Sequence, residues 1–151
     1  MKTTIIFPVA LLAALLCSGA SAQHIERINP EGMTQPTNYS HLVKHDDLMF
    51  IAGQVATDGD GNVVGENDMS AQLRQVLENI KYVLASEGAD FSNVVKINIF
   101  TTDVDALREA YGPMRNEYFG DDAPASTLVQ IERLARPVFM VEIEAIAITP
   151  P

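Results

Sequence analysis

The octapeptide Val141-Glu142-Ile143-Glu144-Ala145-Ile146-Ala147-Ile148 limits the fold more than any other stretch of the chain. Strand side chains alternate between faces, so Val141, Ile143, Ala145 and Ala147 would form one apolar face. Glu142 and Glu144 share the other, roughly 7 Å apart, beside Ile146 and Ile148. A sheet built on this strand needs cover on both sides. Helices suit the first face. The second is too apolar for open solvent and too charged for an ordinary core. Self-association resolves the conflict: apolar atoms bury at subunit contacts, and carboxylates line a cleft between subunits.

The preceding sequence supplies the remaining elements. "YSHLVKHDDLMFIAGQV" reads as two strands around a turn at His45-Asp46-Asp47. Met69, Leu73, Val76, Leu77, Ile80, Val83 and Leu84 recur at helical spacing, with Asn67 or Asp68 as cap and Gly88 as stop. "FSNVVKINIFTTD" predicts a strand with Val95, Ile97 and Ile99 on one face and Lys96, Asn98 and Phe100 on the other. A second helix starts at Asp103 and buries Val104, Leu107, Tyr111, Met114 and Tyr118, with a kink expected at Gly112-Pro113. "ASTLVQIERL" and "VFMVEIEAIAIT" complete the set. The expected fold is α+β, in the order β-β-α-β-α-β-β, with two helices on one face of a sheet.

The N-terminus has a different character. One lysine (Lys2), an apolar run from Ile5 to Leu16 and the triplet Ala20-Ser21-Ala22 follow the plan of a secretory signal cleaved before Gln23. An apolar run of about twelve residues is too short to span a bilayer of roughly 30 Å. The expected organisation is a signal peptide at 1–22, an extended arm at 23–38 and one domain at 39–151, with a periplasmic or secreted destination and no membrane contact after cleavage. Cleavage removes Cys17, the only cysteine, and with it thiol and cysteine–zinc chemistry.

Formal charge is −10 and becomes −11 without Lys2. Such a chain is a poor partner for nucleic acid, where lysine and arginine neutralise phosphates. Asp58, Asp60 and Asn62 have the alternate spacing of a calcium loop, but Val63 and Met69 stand where glycine and glutamate are required, so turn chemistry is the reading. His41 and His45 lie four apart on a strand without a third ligand, and no metal site is expected.

The segments "YSHLVK", "LMFIAGQV", "QLRQVLENIKYVLASEGADFSNVVKINIFTTD", "EYFG", "PASTLVQIERL" and "VEIEAIA" resemble, in order, those of the RidA/YjgF family of reactive-intermediate deaminases. The resemblance implies a chorismate-mutase-like fold, a homotrimer with clefts between subunits, and hydrolysis of enamines or imines to a carbonyl compound and ammonia without cofactor or metal. It implies substrate-binding roles for Tyr39 and Gly53 and a catalytic role for Glu142, with water and protons handled by a partly desolvated carboxylate. Glu144 is read as structural.

One departure stands out. Deaminating members carry "PARS" followed by cysteine, whereas this chain reads Pro124-Ala125-Ser126-Thr127-Leu128. Ser126 replaces the arginine that clamps a substrate carboxylate, and one neutral hydroxyl is no equivalent of a guanidinium fork. The expected substrate is therefore not a standard 2-imino acid, with Ser126 and Thr127 offering hydroxyl contacts. Arg115, Arg133, Arg136 and Lys96 are candidate replacement cations. A non-catalytic trimer binding a small metabolite is the alternative, and an endoribonuclease a distant third.

Overall fold

A computed structural model describes residues 25–150. The signal peptide expected at 1–22 lies outside the described residues. Six strands form one sheet: β1 (Ile25–Ile28), β2 (Leu42–His45), β3 (Leu48–Gln54), β4 (Val94–Thr101), β5 (Ala125–Gln130) and β6 (Val141–Ile148). Two helices, α1 (Met69–Ala85) and α2 (Val104–Phe119), complete the fold. The strand order is β1-β2-β3-β6-β4-β5, all neighbours antiparallel except β4 and β5.

The expected α+β sandwich is therefore present, with one addition. Part of the N-terminal arm pairs with β2 as β1, Ile28 opposite Leu42. Four residues offer too little periodicity to announce a strand; the partner edge creates it.

Local chemistry explains the boundaries. Asp68 caps α1 by accepting from the Ala71 amide at 3.0 Å, and Asp103 caps α2 by accepting from the Asp105 and Ala106 amides. Asp46, at φ +51°, turns β2 into β3. Gly88 takes φ +71° just beyond α1. α2 continues through Pro113 and buries Leu107, Ala110, Met114 and Phe119, while Val104, Tyr111 and Tyr118 are only partly covered.

The core lies between the helices and one sheet face. Leu73, Val76, Leu77, Ile80 and Leu84 of α1 meet Val141, Ile143, Ala145 and Ala147 of β6, together with Ile97 and Ile99. Val95 is not in this layer. A register irregularity between Val94 and Lys96 turns Val94 inward and leaves Val95 43% exposed. Buried Gln72 fastens the chain entering β6, donating to the Val138 carbonyl and accepting from the Met140 amide, each at 2.8 Å.

The other sheet face has no cover among the described residues. Leu48, Phe50, Val129 and Ile148 are exposed there, and Glu142, Glu144 and Ile146 are only partly buried.

Candidate functional site

β6 places Glu142 and Glu144 on this open face, opposite Phe100 and Asn98 of β4. The two carboxylates have different surroundings. Glu144 accepts from Asn98 Nδ2 at 2.7 Å. Glu142 is half-buried and has no hydrogen bond or ion pair among the described residues. Burial, and after it the Glu144 charge, push the Glu142 pKa above the ordinary carboxylate value. A carboxyl group so placed takes and returns protons nearer neutrality than a solvated one.

Gly53 sets the position of that carboxylate. It lies where the β3–β6 register shifts, between Ile51 and Gln54, and its Cα faces the Glu142 side chain. A Cβ there would stand 2.8 Å from Glu142 Cδ and 3.0 Å from Cγ, closer than side-chain carbons tolerate. The carboxylate rests on bare backbone.

On its other side Gly53 joins Tyr39 in lining a polar cavity of about 270 Å³ between residues 32–34, the loop after β3 and α1. Tyr39 is 51% exposed, its ring edge-on to His41 at 5.6 Å. In the sequence His41 stands out only for its spacing from His45. It is buried, with Nε2 2.8 Å from the Thr34 carbonyl and Nδ1 3.5 Å from Gln54 Nε2, tying the arm to β3. Asn79 holds the other wall by donating to the Val55 and Thr57 carbonyls. Asp58 is consumed by turn bonds from the Asp60 and Asn62 amides and the Asn62 side chain.

The two β5 hydroxyls part company. Thr127 aligns with Asn98, so it shares the open face, and its Oγ1 accepts from Lys96 Nζ at 2.7 Å. Ser126 aligns with buried Ile97 and therefore faces the helix side of the sheet, at its exposed edge. Within one protomer, then, Glu142, Gly53 and Thr127 share the open face, Tyr39 flanks Gly53, and Ser126 stands apart. Arg115 donates to its neighbour Asn116, Arg136 stacks on the Phe139 ring and Arg133 is exposed. Among the described residues, none of the three bonds to a site residue.

The fold and this face define a small α+β protein with a half-buried carboxylate on a sheet face that the described residues leave open. The comparisons with known proteins specify it further. Residues 32–149 match the family model described as Endoribonuclease L-PSP. A RutC family protein of Pyrococcus horikoshii is 38% identical over 112 residues, covering 72% of this chain and 85% of that protein. A 3-aminoacrylate deaminase, RutC of Acinetobacter baylyi, is 33% identical over 126 residues, covering 81% and 96%. The crystal structure of yeast YEO7 superposes with a TM-score of 0.77 at 30% identity, over 84% of this chain and all of that one. The chain belongs to the RidA/YjgF family and has its fold.

Proposed function

We propose that this protein hydrolyses small enamines or imines to a carbonyl compound and ammonia, in clefts formed between three copies of the chain. One observation carries the reading: the carboxyl group of Glu142, unpartnered, half-buried and raised in pKa, held against the bare backbone of Gly53. Water adding to C=N must lose a proton, and the departing amine must gain one. A single carboxyl group beside the carbon serves both transfers, as carboxylate first and as acid afterwards. The deaminase relative from Acinetobacter supports the same reaction class.

Family membership implies the trimer, and the uncovered apolar residues of the open face support it. The N-terminal sequence supports export, so the substrate is one met outside the cytoplasm. Size-exclusion chromatography with light scattering should give three chain masses, and mass spectrometry should place the mature N-terminus at Gln23.

Imines without a 2-carboxylate, generated in situ by a flavin-dependent amine oxidase, test the activity. Hydrolysis by the mature protein that falls about a hundredfold or more in Glu142→Ala supports the enzyme. Activity unchanged in that variant refutes it. Ser126 with its neutral hydroxyl favours a second reading, a trimer that binds a metabolite without converting it. That reading predicts no hydrolysis by the parent alongside measurable ligand binding.

A further inference from the structure

Of the three lysines among the described residues, only Lys96 lacks an ion pair. Lys44 pairs with Glu87 at 3.1 Å and Lys81 with Glu78 at 3.6 Å. Lys96, partly buried on the open face, has no carboxylate within 4.0 Å among the described residues. Its ammonium instead donates to Thr127 Oγ1 at 2.7 Å and the Ile97 carbonyl at 3.3 Å. Two of three N–H donors are used and one is free. The side chain lines a depression of about 320 Å³ whose walls include Val43, Phe50 and Ile146. An ammonium with one unused N–H and no ion pair can take an anionic ligand. Glu144 lines the same depression, but Asn98 occupies one of its oxygens.

We propose that Lys96, positioned by Thr127, binds the carboxylate of a small organic acid in this depression. The inference rests on the reading of Glu142 as the hydrolytic group where it specifies substrate. On ordinary strand spacing, Thr127 stands two strands and two residues from Glu142, about 12 Å between Cα atoms. That is too long for a 2-imino acid, whose carboxylate adjoins the C=N carbon. It selects a substrate with its carboxylate at the far end from the C=N group, consistent with a serine at position 126.

Levulinate, a keto acid with a distal carboxylate, and its neutral amide are the probes, titrated calorimetrically into the mature protein. Levulinate should bind, the amide should bind at least about tenfold more weakly, and Lys96→Met should lose about tenfold or more in levulinate affinity while Lys96→Arg retains most of it. Equal binding of acid and amide, no binding of either, or full affinity in a folded Lys96→Met overturns the proposal. Lys96-dependent binding without imine hydrolysis sinks the enzyme reading alone; hydrolysis without Lys96-dependent binding sinks this inference alone.

Discussion

Gly53→Ala isolates the contact on which the proposed chemistry depends. The position is a strand residue outside the left-handed backbone region, so alanine fits the backbone and any effect comes from its methyl group. That methyl would lie 2.8 Å from Glu142 Cδ, against at least 3.4 Å in ordinary contact. The carboxyl carbon must retreat by about 0.6 Å, and the oxygens further. Glu142 is half-exposed, so its cheapest response is to rotate outward, at about 0.5–1.5 kcal/mol for leaving its preferred rotamer. Small misplacement of a reacting group lowers rate by up to about a hundredfold. The assay is a double-mutant cycle combining urea unfolding with imine hydrolysis. In the parent, Gly53→Ala should destabilise and inactivate together. In Glu142→Ala the obstructed atoms are gone, and Gly53→Ala should become neutral or stabilising, since it reduces unfolded-state entropy. An equal stability cost in both backgrounds, or full activity in the single variant, refutes the contact.

Two further outcomes follow from particular side chains. The raised Glu142 pKa means that the stability from its protonation is present below the unfolded value of about 4.5 and is lost as pH rises through the folded value. Glu142→Gln should therefore gain stability relative to the parent between acidic and neutral pH; parallel stability–pH curves contradict this. Gln72→Ala should cost about 2–4 kcal/mol in denaturant unfolding, because a buried cavity opens and the Val138 carbonyl and Met140 amide lose their partner. A cost below about 1 kcal/mol would mean water replaces the amide.

Sequence alternation exposed the central strand because one face of β6 is wholly apolar and is covered by helices. Asp103 was legible as a cap, and Asp68 as one of two candidates with Asn67, for an equally local reason, a carboxylate facing amides two or three residues ahead. β1 was not, since a four-residue edge strand takes its identity from β2. The irregularity that turns Val95 outward leaves no compositional mark. Within the site, the Glu142 and Glu144 face followed from period alone. The separation of Ser126 from Thr127 required the β4–β5 register, and nothing near His41 in the chain announces its bonds to Thr34 and Gln54.

The pH–rate profile of imine hydrolysis by the parent and by Glu144→Gln meets the claim about Glu142 most directly. Rate in the parent should rise with pH through a carboxyl pKa above the ordinary range. Removing the Glu144 charge should move that rise to lower pH without abolishing it, because burial is the larger cause. A rise at the same pH in both proteins, or a profile that shows no carboxyl ionisation, would contradict the account.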